Sequence, residues 1–183
     1  MQLVAAFLES QGIAYRVVGS FASMAYGEPR FTNDIDVLAD VRSEHIAAFL
    51  EAFPAPEHDL SADAMRAAIE QSGQFNILHL PSGLKVDMIV LKRDEYSRLE
   101  IQRGRRLTSP GEFDVWFAAP EDVILDKLRP YREGGSDKCL RDIASILMIQ
   151  RDAIDRGYSA AWAARLDVQA KWQALLADLM DRG

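Results

Sequence analysis

The chain has 183 residues, 49% hydrophobic and 27% charged, with a formal net charge of −7; that is room for one full core, or for a small α/β domain with a helical appendage. The only cysteine, Cys139, excludes an internal disulfide and a Cys-based zinc cluster, the three histidines (His45, His58, His79) are scattered, and no apolar run approaches membrane-spanning length. Residues 1–8 lack the basic start and h-region of a signal peptide, so a cytoplasmic location with no membrane contact is the expectation.

Leu3, Val4, Phe7 and Leu8 form the stripe of an amphipathic helix over Gln2 to Ser10, and Gly12 closes it. The β-branched run Ala14 to Val18 reads as a buried strand that breaks at Gly19-Ser20. Ser20 is placed to cap a short helix over Phe21 to Tyr26, and Gly27 to end it. Such a corner aims backbone N–H groups and the positive end of a helix dipole at an anion such as phosphate. The loop Glu28 to Asn33 leads into a strand from Asp34 to Leu38. Strand alternation sends Asp34 and Asp36 out of one face while Ile35 and Val37 enter the core. Two neighbouring carboxylates repel unless a cation lies between them, and Mg²⁺ suits, being hard and shared readily between carboxylates and phosphates.

A helix follows over Val41 to Phe53, capped by Ser43 and ended by Pro54 and Pro56, then another from Ser61 to Gln71 with Ser72-Gly73 as its stop. Phe75 to Leu80 and Leu84 to Leu91, around Pro81-Ser82-Gly83, read as a hairpin. Asp87 is the one acidic residue among the apolar neighbours of the second strand, and an acid there needs a partner. A Gly-Ser corner, an Asp-x-Asp strand and a later lone strand Asp together resemble the nucleotidyltransferase superfamily that includes DNA polymerase β. Arg30 and Thr32 look like the R-x-T-x-D-x-D variant of small bacterial members. The resemblance implies that Gly19 and Ser20 bind the triphosphate of a nucleotide. It also implies that Asp34, Asp36 and Asp87 hold two divalent metals, Mg²⁺ or Mn²⁺, and are catalytic.

Residues 1–90 carry 5 basic and 12 acidic side chains, a net of −7, whereas residues 91–141 carry 11 and 10, a net of +1. The densest basic group is Lys92, Arg93, Arg98, Arg103, Arg105 and Arg106, where RNA would dock through its phosphates; a solvated charged face is the alternative. Leu91 to Ile101 reads as a helix, Arg105 to Thr108 and Phe113 to Phe117 as strands, with Trp116 in the core.

From Pro120 the chain is helical. Pro120 suits the first helical position, and Glu121 and Asp122 complement the dipole of a helix ending near Arg132. Gly134-Gly135 make a turn, Ser136 caps the next helix, and Asp142 shares a face with Cys139, Ile143 and Ile146. Lys127 and Asp142, both on inner faces, must meet each other or a ligand. The order P-E-D-x-x-x-x-K-L, a turn, then R-D-I is similar to motifs of AbiEii/MenT-type nucleotidyltransferases, the toxin halves of some bacterial toxin-antitoxin pairs. That likeness adds Lys127, Arg141 and Asp142, with Arg30 and Thr32, to the nucleotide-binding set. Tyr158 to Leu166 and Val168 to Met180 read as terminal helices carrying Trp162 and Trp172, packed on the core or forming a dimer contact.

The expected fold is α/β (α+β): a nucleotidyltransferase-like core over residues 1–118, with a mixed central sheet and flanking helices, followed by a helical bundle over 119–183. The resemblance implies a metal-dependent transfer of a nucleoside monophosphate from a nucleoside triphosphate to an acceptor hydroxyl, in a toxin-antitoxin setting an RNA or tRNA 3′ end, with a cognate antitoxin protein as partner. A protein side chain or an antibiotic hydroxyl are the other acceptors. A non-catalytic nucleotide-binding regulator or antitoxin-type module is the competing class.

Overall fold

The computed structural model describes residues 1–32, 34–108, 113–132 and 137–181; Asn33, the Gly134-Gly135 turn and the Ser136 cap lie outside them. The chain divides into two units, residues 1–21 with 31–118 and residues 22–30 with 119–183.

The first unit begins with α1 (Gln2–Ser10) and β1 (Tyr15–Val18), and it holds the start of α2 (Gly19–Tyr26). There follow β2 (Asp34–Ala39), a 3-10 turn at Ser43–His45, α3 (Ile46–Ala52), β3 (His58–Asp59) and α4 (Ala62–Gln71). The unit ends with β4 (Gln74–His79), β5 (Leu84–Val90), α5 (Glu95–Arg103), β6 (Arg105–Thr108) and β7 (Asp114–Phe117). The strands form one mixed sheet in the order β3-β4-β5-β2-β1-β7-β6. β1, between β2 and β7, is buried at all four residues. β1 runs antiparallel to β2, and β2 parallel to β5. On one side of the core Phe7 meets Phe49 and Phe53 edge-on, and Phe49 meets Phe75 likewise, joining α1 and α3 to β4.

The mixed α/β architecture expected from the sequence is the one found; several local details differ. Ser43 opens a 3-10 turn and does not cap α3. Leu91–Arg93 are not helical, because Asp94 is the N-cap of α5, its side chain accepting from the Ser97 N–H at 2.7 Å. Ser20 lies inside α2 and does not cap it. Trp116 is only half-buried, and the Arg16 guanidinium sits 4.9 Å over its ring, a cation–π contact.

The second unit holds α6 (Pro120–Arg132), α7 (Asp137–Gln150), α8 (Arg156–Arg165) and α9 (Gln169–Asp181). Ile124, Leu125, Leu128, Ile143 and Ile146 are fully buried, as is Trp172, with Trp162 nearly so. α7, α8 and α9 each pack on α6. Glu121 and Asp122 stand in the first turn of α6 as expected, and both are also buried acceptors, Glu121 Oε1 taking the Asp155 N–H at 2.9 Å and Asp122 Oδ1 the Tyr158 hydroxyl at 2.7 Å. No helix among the described residues is long and apolar enough to cross a membrane.

Candidate active site

The first unit's acidic site is set by strand register. Val18 pairs with Asp36 across β1–β2, so the chain leaving β1 turns directly beside that carboxylate. The turn is Gly19, at φ +62°, a left-handed conformation that side chains resist. A Cβ there would fall on the Asp36 carboxylate. Glycine thus serves twice, for the dihedral and for the close approach.

On the other side of β2, Asp36 is the direct partner of Asp87, and Asp34 of Lys85, in the parallel β2–β5 ladder. Residues two apart on a strand share a face, so Asp34, Asp36, Lys85 and Asp87 leave one face together. Asp87 is 8% exposed, its Oδ1 buried without a hydrogen-bond partner, and its Oδ2 lies 3.0 Å from the Lys85 ammonium. The same ammonium lies 3.7 Å from Asp34 Oδ1. The hydrogen bond to Asp87, helped by the charges of Asp87 and Asp34, raises the Lys85 pKa. Asn76 on β4 pairs with Asp87 from its other side.

This donor set fits a hard cation: an orphaned carboxylate oxygen is buried at its centre, and a positive group already lies between two of the acids. As they stand, no three acidic or imidazole side chains among the described residues converge as a finished metal cage. Thr32 Oγ1 donates weakly to the Asp34 carbonyl at 3.5 Å, and Ser20 follows Gly19 in the first turn of α2.

The remaining predicted residues are in the second unit. Asp142 on α7, 7% exposed, takes a bidentate pair from Arg30, Nε to Oδ1 and Nη2 to Oδ2, each at 2.9 Å. Lys127 Nζ donates to Oδ2 at 2.7 Å. Burial works to raise the Asp142 pKa, but hydrogen bonds and charge from Arg30 and Lys127 outweigh it and hold the carboxyl below its ordinary value. Lys127 and Asp142 therefore do face each other. Arg141 is exposed on α7 and is not part of the cluster.

Sequence reasoning missed Lys85 and Asn76. Lys85 was open to discovery, since it stands two residues before Asp87 and must share its face; Asn76 required knowing the hairpin register.

No protein-family model matches the chain, and no curated protein does. Solved structures do match. A nucleotidyltransferase-like antigenic protein from Paracoccidioides brasiliensis is 18% identical, with 96% of this chain and 89% of that one covered and a TM-score of 0.56. The lincosamide antibiotic adenylyltransferase LnuA, in its lincomycin-bound crystal structure, is 10% identical over 80% of this chain and 93% of its own, with a TM-score of 0.53. The antibiotic-resistance factor ANT(2'')-Ia is 12% identical over 99% and 93%, with a TM-score of 0.50. At these identities the likeness is one of fold, and the fold is that of nucleotidyltransferase-like proteins.

Proposed function

We propose that the protein is a nucleotidyltransferase: an acceptor hydroxyl attacks the α-phosphorus of a nucleoside triphosphate, the nucleoside monophosphate is transferred, and pyrophosphate leaves. The observation that carries this reading is the Gly19 turn pressed against Asp36, with Asp87 directly opposite on the next strand. The fold shared with adenylyltransferases supports it.

The Gly19-Ser20 backbone at the start of α2 receives the triphosphate. Asp34, Asp36 and Asp87 would hold Mg²⁺ or Mn²⁺, which supplies charge neutralisation for the phosphates and activation of the acceptor hydroxyl. Asp34 and Asp36 belong with the triphosphate, and Asp87 with the acceptor. Thr32 supports the Asp34 backbone. In the second unit Arg30, Lys127 and Asp142 form one cluster, which we propose as nucleotide-binding; Arg141 stands exposed outside it.

For the acceptor we favour an RNA end, the substrate of a toxin whose partner is an antitoxin protein. Arg42, Lys92, Arg93 and Arg98 line a cavity of about 440 Å³ past the ends of β2 and β5. Arg42 is neutralised by Asp40 at 2.7 Å, whereas Lys92, Arg93 and Arg98 have no carboxylate partner among the described residues. Unpaired cations around one cavity suit a phosphate backbone. An antibiotic hydroxyl is the acceptor suggested by the lincomycin-bound neighbour. The non-catalytic regulator finds support in one observation, that Lys85 already neutralises two of the three acids.

Thermal stabilisation by each nucleoside triphosphate with Mg²⁺, measured beside pyrophosphate release, tests the proposal. Both signals are expected; stabilisation with no pyrophosphate under any acceptor would favour the regulator.

A further inference from the structure

We infer that Lys85 is an internal competitor for the metal position: its ammonium occupies the face of Asp34 and Asp87 that a divalent cation would take, and it is released when one binds. This rests on the acids being a metal site.

The ammonium is 3.0 Å from Asp87 Oδ2 and 3.7 Å from Asp34 Oδ1. It comes from the strand position opposite Asp34 and two before Asp87, so the ladder itself delivers it there. Mg²⁺ binds carboxylate oxygens at about 2.0–2.1 Å. An ammonium and a divalent ion drawn to the same pair of oxygens would lie within a few ångströms of each other, at a Coulomb cost that low local dielectric enlarges. Lys85 has somewhere to go, because its side chain is 36% exposed.

Two consequences follow. In the absence of metal the lysine offsets the repulsion between Asp34 and Asp87, the two acids it contacts. It also sets a threshold for divalent binding, so that the empty protein does not load metal at low concentration.

The test is Mn²⁺ binding to the full chain, followed by calorimetry and by the loss of the free-ion electron paramagnetic resonance signal, with no nucleotide present. Lys85→Met and Lys85→Gln are compared with wild type, Lys85→Arg and Asp87→Asn. Both neutral variants should bind Mn²⁺ about tenfold more tightly, and they should melt below wild type without metal and recover with it. Lys85→Arg should bind like wild type, and Asp87→Asn should lose binding. Unchanged or weaker Mn²⁺ binding in the neutral variants, with binding still lost in Asp87→Asn, would overturn the competitor role and leave the metal site standing. Binding that Asp87→Asn does not alter, or no binding in any variant, would overturn the metal site and the competitor with it.

Discussion

Asp36 and Asp87 are direct partners across the parallel β2–β5 ladder, one against the Gly19 turn and the other buried with an unpartnered oxygen. Asp36→Asn and Asp87→Asn should each lower nucleotide transfer by about 10³-fold or more while leaving the protein folded. Steady-state transfer rates and circular-dichroism melts check this; a variant retaining wild-type turnover would remove its acid from the mechanism.

Gly19→Ala combines two penalties. A non-glycine residue at φ +62° costs about 1–2 kcal/mol, and its Cβ would collide with the Asp36 carboxylate and force it aside. The variant should lose both stability and the thermal shift given by nucleoside triphosphate with Mg²⁺. Gly12→Ala is the control: it has the same sign of φ, at +66°, but nothing within 4 Å of its Cβ, so it should lose stability alone.

Asp142 stabilises the second unit in its ionised form. Its carboxyl lies below the ordinary value of 3.8 in the folded chain because Arg30 and Lys127 outweigh the effect of burial. That contribution is complete above the unfolded value and is lost as pH falls below 3.8 through the lower folded value. Asp142→Asn should cost about 3 kcal/mol at neutral pH, since it leaves a lysine and an arginine facing an amide. The gap in melting temperature between wild type and variant should narrow as pH drops below 3.8. A gap that stays constant through that range would refute the assignment.

Much of this was readable before any coordinates. The apolar run into Gly19, the Asp-x-Asp alternation and the lone Asp87 are local signals, and each corresponds to a strand or turn that physics dictates nearly by itself. What escaped depends on distant partners. β3 is a two-residue strand, His58–Asp59, too short to show a period, and it exists because β4 offers an edge. The partner of Arg30 is Asp142, 112 residues away. Glu121 and Asp122 looked like ordinary first-turn acids because their partners, Asp155 and Tyr158, lie 34 and 36 residues on.

The cavity lined by Lys92, Arg93 and Arg98 separates the acceptor classes. Arg93→Glu with Arg98→Glu should weaken binding of single-stranded RNA by about tenfold or more and flatten its dependence on salt by roughly two contacts' worth. Transfer to a small-molecule hydroxyl should be unaffected. Filter binding across a salt series checks it; an unchanged slope would mean that RNA does not contact this cavity.

The most direct measurement is transfer of α-labelled nucleotide, offered as each of the four nucleoside triphosphates with Mg²⁺ or Mn²⁺, into total RNA, cell protein and a panel of antibiotics that includes lincomycin. The expected result is label in an RNA band that disappears with Asp34→Ala/Asp36→Ala, the double variant remaining folded. Label in none of the three fractions, from a folded protein that still binds nucleotide, would contradict nucleotidyl transfer.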